Sequence, residues 1–242
     1  MAYIGTYNSG AAKLAIPILN KSCLVMITPA NTYPGLTKAV PGVTAQGEPG
    51  IYYPSGYRSF ARTVATDDIQ GAAGAEWAKS MGKTKAYVLD DTQVYGHGLA
   101  VSWAIHAKNI GMTVLSANGG SEGFDAKATD YNALAQKVKS SGADIIYIGS
   151  ITGQNTGKLW KDLRAALPDI TIMSGDGVFE KSWYDGAGTA ANGTGNELDN
   201  VLRIEGTTSG FLQGGGGNDT LFGGNGFRDE LFKPGADIGD FR

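Results

Sequence analysis

The chain has 242 residues, enough for one large or two small domains, and 42% of them are hydrophobic, so a sizeable core can form. Its formal net charge of −3 argues against nucleic acid as a partner, because phosphate binding requires clustered Lys and Arg. No apolar run approaches the length of a transmembrane helix, and no charged n-region precedes an apolar stretch at the start, so no signal peptide is expected.

Residues 4–32 read as one βαβ unit. A strand ends at Ile4-Gly5, and Asn8-Ser9-Gly10 forms a turn and helix start, since Asn and Ser side chains accept bonds from free helix N–H groups. Ala11 to Asn20 carries the helix. Leu24-Val25-Met26-Ile27 is a continuous apolar run, as expected of a parallel strand buried on both faces. Cys23 beside it is the one cysteine; no internal disulfide can form, and a small buried hydrophobe is expected there. Thr28 to Thr32 breaks the chain again. Ligands in open α/β sheets bind at the carboxyl ends of strands. Ser9, Thr32 and the backbone around Ala30 there offer hydroxyls and N–H groups suited to a carboxylate or other small anion. Ordinary helix capping without a ligand accounts for the same residues.

Residues 34–57 are rich in Pro, Gly and Tyr and read as a loop whose Tyr52, Tyr53 and Tyr57 either line a pocket or cover the edge of a core. Residues 59–65 form a strand with Arg62 facing out. Thr66 or Asp67 caps an alanine-rich helix reaching Met81, with the acids at the positive end of its dipole. Residues 86–89 are a buried strand, followed by a polar loop from Asp90 to Gly98 and a helix over 99–110. In that loop Asp90-Asp91 reads as a helix cap plus an exposed charge. Strands follow at 112–115, 143–148 and 170–173. Helices lie at 130–140, with Tyr131, Leu134 and Val138 on one face, and at 158–167. This alternation predicts an α/β fold of doubly wound parallel sheets.

Polar groups recur at the strand ends: Ser9, Thr32, Tyr95, Thr152 and Asp176. A cleft between two α/β lobes brings such residues together. Hydroxyls and N–H groups then take a carboxylate, Asp176 takes an ammonium, and Tyr95 offers an apolar face and a hydroxyl, which describes an α-amino acid site. An enzyme is not expected. His97 and His106 stand nine apart and make no metal pair on one helix face. The chain has no G-x-S-x-G elbow, no P-loop and no G-x-G-x-x-G at a strand–helix turn.

The strings NSGAA at 8–12, ITPANTYPGLTK at 27–38, ARTVATDDIQGAAGAEWA at 61–78, YVLDDTQVYGHGLA at 87–100, ADIIYIGSITGQ at 143–154 and MSGDGV at 173–178 are similar, in order and spacing over roughly residues 3–193, to the branched-chain amino acid (Leu/Ile/Val) binding proteins of ABC importers. These are type I periplasmic binding proteins. The resemblance implies a first-lobe fragment at 1–66 and a second lobe at 67–193, without the opening βα units and without the segments that return to complete the first lobe. It implies that Ser9, Ala30 and Thr32 hold the ligand's carboxylate and amino group, that Tyr95 and Thr152 flank it, and that Asp176 faces its ammonium. Asp67 and Gln70 fall where the chain crosses between lobes. The position of Thr152 is often aromatic in amino-acid binders. ABC transporter membrane subunits are the implied partners and the periplasm or the cell exterior the implied location.

The stretch 194–242 differs in character: eleven of the 37 glycines lie within residues 193–226. Residues 214–222, GGGGNDTLF, match the nonapeptide of calcium-binding β-rolls of the RTX type, with Asp219 as a candidate Ca²⁺ ligand. The following unit has Arg228 where the Asp belongs, so an internal shell of about 6–8 oxygens is incomplete. The alternative to amino-acid binding is therefore a secreted structural or calcium-binding module whose α/β part has lost its ligand.

Overall fold

The computed structural model describes residues 1–190 and the backbone of residues 192–194, 201–203, 211–213 and 220–222. In chain order the elements are β1 (Ala2–Ile4), α1 (Ser9–Lys21), β2 (Val25–Thr28), β3 (Phe60–Arg62), α2 (Asp67–Ser80), β4 (Lys85–Asp90), α3 (Val94–Asn109), β5 (Thr113–Val114) and β6 (Glu122–Gly123). They continue with α4 (Asn132–Ser141), β7 (Ile145–Gly149), α5 (Thr156–Ala166), β8 (Thr171–Ser174), α6 (Lys181–Ala187), β9 (Asn192–Thr194), β10 (Val201–Arg203), β11 (Phe211–Gln213) and β12 (Thr220–Phe222).

Among the described residues every strand ladder is parallel. One sheet has the order β1-β2-β3; the other runs β5-β4-β7-β8, with β6 also paired to β4. Both belong to one compact unit made of Met1–Asp125, Ser141–Ser150 and Thr171–Gly175. The alternation of strands and helices expected from the apolar runs is thus present, and the fold is α/β with parallel sheets.

Strands β4 and β7 are the apolar centre of the larger sheet. Tyr87, Val88, Leu89, Ile145, Ile146, Tyr147 and Ile148 are buried, as strands covered on both faces must be. Trp103 of α3 stacks on Tyr147 with ring centroids 4.8 Å apart and an interplanar angle of 14°. Helices α2 and α3 approach closely because α2 is nearly bare on one side. A side chain at Gly71 would fall 2.7 Å from the Trp103 backbone nitrogen.

The smaller sheet has a core of its own: Ala12 and Ile16 of α1, Met26, Phe60, Tyr33, Leu36, Tyr52 and Tyr53. The long Pro/Gly/Tyr stretch is therefore no pocket wall at Tyr52 and Tyr53, which are core residues, whereas Tyr57 is exposed. Glu48 is the hub of this stretch. Its carboxylate accepts from Tyr33 Oη at 2.7 Å, from Tyr52 Oη and from the Ala45 N–H at 2.9 Å, and pairs with Lys13 Nζ at 2.9 Å.

The other compact unit comprises Ala126–Ser140, Ile151–Ile170 and the described residues from Asp176 on. Here α5 lies against α6: a side chain at Gly157 would fall 2.9 Å from the Gly186 carbonyl carbon, and Trp160 meets Trp183 edge to face at 4.8 Å. Near the end of the chain, β9 pairs with β11 and β10 with β12. Among the described residues no helix is long and apolar enough to cross a membrane.

Four local expectations are corrected. Cys23 is exposed, in the turn that closes α1 at φ +53°, with its N–H on the Asn20 carbonyl; it ends a helix and does not enter the core. Arg62 does not face out: it is partly buried and donates to the Tyr33 carbonyl at 3.0 Å and to Thr37 Oγ1 at 2.9 Å. Asp90 and Asp91 are both buried, so neither is an exposed charge. Helix α3 begins at Val94 and not at Leu99, so Tyr95 and His97 lie in its first turn.

Candidate functional site

Two polar loops at strand ends are tied together before any ligand is considered. Thr28 Oγ1, at the end of β2, donates to the Thr6 carbonyl at 2.8 Å and accepts from the N–H groups of Ala30 and Asn31. Asn31, fully buried, donates to the Tyr7 carbonyl at 2.7 Å. The loop after β1 and the loop after β2 therefore form one rigid polar rim, held by short side chains that reach backbone without much entropy loss.

Ser9 and Thr32 sit on this rim. Ser9 is the first residue of α1 and is buried; its Oγ accepts from the Tyr33 N–H at 3.3 Å. The residue before it, Asn8, occupies the cap position without a side-chain cap bond, so the first N–H groups of α1 are not closed by that side chain. Thr32 is 4% exposed, its carbonyl accepts from the Asp67 N–H at 3.0 Å, and its buried Oγ1 has no hydrogen-bond partner. A buried hydroxyl without a partner costs free energy, and this one lies on the polar rim with its hydrogen-bonding capacity unused. Ala30 commits its N–H to Thr28.

Tyr95 lies in the first turn of α3, 9% exposed, in the same compact unit. Its neighbours are fixed by glycines. A Cβ at Gly98 would come 2.7 Å from the Tyr33 ring. A Cβ at Gly175 would come 3.1 Å from Tyr95 Oη and 2.8 Å from Gln70 Oε1. Three elements, α2, α3 and the end of β8, thus converge where only glycine fits. Gln70 Oε1 is a second buried polar atom without a partner. Asp67, one turn earlier on α2, is fully buried, and its charge helps to hold the Tyr33 phenol above its ordinary range, behind burial and the Glu48 hydrogen bond.

Beside Tyr95, the carboxylates after β4 orient the start of α3. Asp91 accepts from the Gln93 N–H at 2.9 Å and from Ser150 Oγ at 3.1 Å. Asp90 accepts from the Thr92 N–H at 2.8 Å and lies 3.1 Å from His97 Nδ1. Burial pushes the Asp90 pKa up, but the bonds from His97, Ser121 and Thr92 outweigh it and hold it below the usual carboxylate range. The hydrogen bond to Asp90 in turn raises that of His97 against its own partial burial.

The two remaining candidates belong to the other compact unit. Thr152 opens a short 3-10 turn, Thr152–Gln154, and its buried Oγ1 has no hydrogen-bond partner. Asp176 opens another, Asp176–Val178, is exposed, and accepts the Phe179 N–H on its carbonyl at 3.0 Å. Asp219 lies outside the described residues. Among the described residues no group of three or more His, Cys, Asp or Glu is arranged to hold a metal ion. Within one unit the structure therefore brings together Ser9, Ala30 and Thr32, and adds Asn31 as the residue that locks the rim. Its signal in the sequence was its place in the TPANT string, between Thr28 and Thr32.

A family model described as periplasmic binding protein matches residues 1–195. A Leu/Ile/Val-binding protein homologue of Brucella melitensis is 27% identical over 192 residues, covering 79% of this chain and 46% of the relative. A leucine-, isoleucine-, valine-, threonine- and alanine-binding protein of Pseudomonas aeruginosa is 28% identical over 191 residues, covering 78% and 46%. The crystal structure of a leucine-binding protein from Thermotoga maritima superposes with a TM-score of 0.64 at 26% identity, covering 79% of this chain and 49% of that one. The chain spans about half the length of these relatives.

Proposed function

The chain belongs to the periplasmic binding protein family, and from that premise we propose that it is an extracytoplasmic solute-binding component that recognises a small, branched-chain amino acid for ABC-type uptake. Its fold is the type I periplasmic binding protein fold, α/β with parallel sheets. The observation that carries the reading is the buried, unpartnered Thr32 hydroxyl beside Ser9 at the start of α1. Hydroxyls and helix-start N–H groups are donors for a carboxylate. The relatives support the ligand class, being named for leucine, isoleucine and valine binding. Tyr95 supplies an aromatic face and hydroxyl, and Thr152 and Asp176 are proposed to meet the ligand's side chain and ammonium. The membrane subunits of an ABC transporter are the proposed partners, in the periplasm or at the cell exterior.

Thr32→Val tests this reading. It keeps the shape and removes a hydroxyl that makes no bond within the protein. The unliganded variant melts at or slightly above the parent temperature, because an unsatisfied buried polar atom is lost. With leucine, isoleucine or valine at about 100 times the dissociation constant, the parent gains roughly 2.7 kcal/mol. The variant loses at least about 1.4 kcal/mol of binding, a tenfold weaker constant by calorimetry. No response of the parent to any of the three amino acids, or equal affinity in the variant, overturns the proposal.

A second reading concerns the residues after 193. It is supported by the parallel pairing of β9 with β11 and of β10 with β12, each partner nineteen residues further along the chain, close to two nonapeptides. Under it, the GGGGND string at 214–219 contributes to Ca²⁺ binding through Asp219. Calcium titration of the full chain and of Asp219→Asn tests it: equal heats from the two, or none from the parent, remove the reading.

A further inference from the structure

The larger sheet gathers the starts of its strands and the ends of its helices on one edge, at the far end from Asp90 and Tyr95. Its strands are parallel, and α2 and α3 end just before β4 and β5 begin. Lys85 opens β4 and stands in register with Thr113, the first residue of β5. The Thr113 N–H donates to the Thr84 carbonyl at 2.8 Å. Lys79 lies in the last turn of α2 and Lys108 in the last turn of α3. The Lys83 N–H returns to the Ala78 carbonyl at 3.1 Å, and the Gly111 N–H to the Lys108 carbonyl at 3.0 Å. Four lysines therefore belong to one edge. At ~1.5 Å of rise per residue, Lys108 lies about 20 Å along α3 from Tyr95.

These four make no ion pair among the described residues, whereas Lys13, Lys38, Lys158 and Lys181 each hold a carboxylate at 2.9 Å or less. Lys21, Lys139 and Lys161 are unpaired too, but they stand on three different helices. Two carboxylates share the edge with the four. Asp144, just before β7, accepts from the Thr84 N–H at 2.8 Å, from Thr84 Oγ1 at 3.0 Å and from the Lys85 N–H at 3.0 Å, and Lys83 is the cation that acts on it. Glu76 pairs with His106 at 2.9 Å. Lys85 and Lys108 are exposed, and Lys79 and Lys83 partly so. The helix dipole accounts for a cation in the last turn of α2 and of α3. It does not account for Lys83 in a turn or Lys85 at a strand start. In a chain of net charge −3, this edge inverts the overall sign.

We propose that this edge is a docking surface for a bilayer rich in anionic headgroups, held by Lys79, Lys83, Lys85 and Lys108. A lysine ammonium is a compact, hydrated point charge on a flexible stem, suited to a diffuse negative surface. A discrete carboxylate or phosphate is matched better by the planar fork of arginine. The arginines of this unit among the described residues, Arg58 and Arg62, lie at or beside β3 instead. A protein partner would be met by an apolar patch core. None of the large apolar side chains that are exposed belongs to residues 76–85 or 106–113. The contact is thus electrostatic and reversible, without insertion into the lipid. Docked this way, the chain turns the Tyr95 end of α3 away from the bilayer. The proposal does not rest on amino-acid binding.

The test is co-sedimentation of the full chain with vesicles of equal parts phosphatidylglycerol and phosphatidylcholine, against vesicles of phosphatidylcholine alone, at low salt. The parent sediments with the anionic vesicles only, and it is released as salt shortens the screening length from ~10 Å at ~0.1 M to ~3 Å at ~1 M. Each lysine near such a surface contributes about fivefold in partitioning, so Lys85→Gln/Lys108→Gln binds roughly 25-fold more weakly. Lys161→Gln/Lys181→Gln removes the same charge from the exposed surface of α5 and α6 and binds as the parent does. Circular dichroism and melting of both variants match the parent, because all four side chains are exposed. Four results overturn the proposal: no sedimentation of the parent with anionic vesicles, equal binding to both kinds of vesicle, equal loss in the two variants, or release by inorganic phosphate at an ionic strength at which sodium chloride does not release it, since the lysines then form a site for a soluble anion. Each is read without any amino acid, so failure here is distinct from failure of the amino-acid reading.

Discussion

Glu48 is the residue whose removal reports most directly on how the rim carrying Thr32 is held. Its side chain is 1% exposed and its carboxylate serves Tyr33, Tyr52, the Ala45 N–H and Lys13. Tyr33 follows Thr32 directly, donates its N–H to Ser9, and takes Arg62 on its carbonyl. Removing one partner of a buried, hydrogen-bonded charge costs about 3–5 kcal/mol, mostly through the groups left unsatisfied. In Glu48→Ala two phenol hydroxyls and one amide lose their acceptor, whereas Lys13, 26% exposed, turns to water. The expected loss is therefore about 3–5 kcal/mol, or on the order of 10 °C in melting temperature for a domain of this size. Glu48→Gln keeps the shape and loses the charge, for roughly 1.5–3 kcal/mol. The sign of the pH dependence follows from the pKa. Burial raises that of Glu48, but the bonds from Tyr52, Lys13, Tyr33 and the Ala45 amide outweigh it, so the folded value lies below the ordinary one. The contribution is present above the unfolded pKa, about 4.3, and is lost as pH falls through the folded value. Urea melts of parent and Glu48→Gln between pH 7 and pH 3 measure it. A gap that holds to about pH 5 and closes on further acidification is expected; no gap at pH 7, or one that widens in acid, refutes the account.

Gly149→Ala places a methyl against the Gly96 backbone, where α3 crosses β7, and 2.9 Å from the Ala100 side chain; overpacking of this kind costs about 1–3 kcal/mol, read as a lower urea midpoint at unchanged slope. Trp103→Ala removes a fully buried indole stacked on Tyr147 and is expected to lose about 3–5 kcal/mol in the same assay. His97→Gln tests the Asp90 pair through its pH dependence. The raised pKa of His97 means that the pair stabilises the fold below about pH 6.5 and that this contribution fades as pH rises through the higher folded value. Parent and variant should therefore differ at pH 5.5 and melt together at pH 9; a gap that grows with pH contradicts the pairing.

The βαβ unit at the start was legible because its signals are local: an apolar run for β2, and small polar residues at both strand ends. Ser9 and Thr32 followed, since turn chemistry brings hydroxyls to such places. Tyr95 was assigned to a loop because Gly96 and Gly98 follow it and glycine is a poor helix former. Their presence has a tertiary cause. At Gly96 a side chain would fall within 2.7 Å of the Asp91 carboxyl carbon and overlap the Gly149 carbonyl, and at Gly98 one would meet the Tyr33 ring. Close approach to β7 and to Tyr33 overrides propensity, and no local window contains that information.

The misread charges are all groups that the fold takes out of water. From the sequence, Arg62 is placed facing out and one of Asp90 and Asp91 is placed in water, because ionised side chains are seldom buried without partners. Arg62 and Asp91 have partners distant in sequence, Tyr33 and Thr37 for the one and Ser150 for the other, whereas Asp90 is buried with near neighbours, Thr92 and His97. Glu48 is the extreme case, a lone carboxylate in a Pro- and Gly-rich stretch whose donors come from α1 and from two tyrosines. Each of these buried charges fixes a segment beside a candidate site residue. Arg62 and Glu48 both hold Tyr33 next to Thr32, and Asp90 and Asp91 hold the start of α3 at Tyr95. The candidate residues Ser9 and Thr32 are short polar side chains that local chemistry reveals, but the charges that hold the segment beside them, Arg62 and Glu48, take partners from distant parts of the chain. On the proposed amino-acid reading, a change at Glu48 or Asp91 should therefore weaken binding without touching the ligand, whereas one at Thr32 should weaken it without touching stability; titration calorimetry beside a thermal melt of each variant checks this.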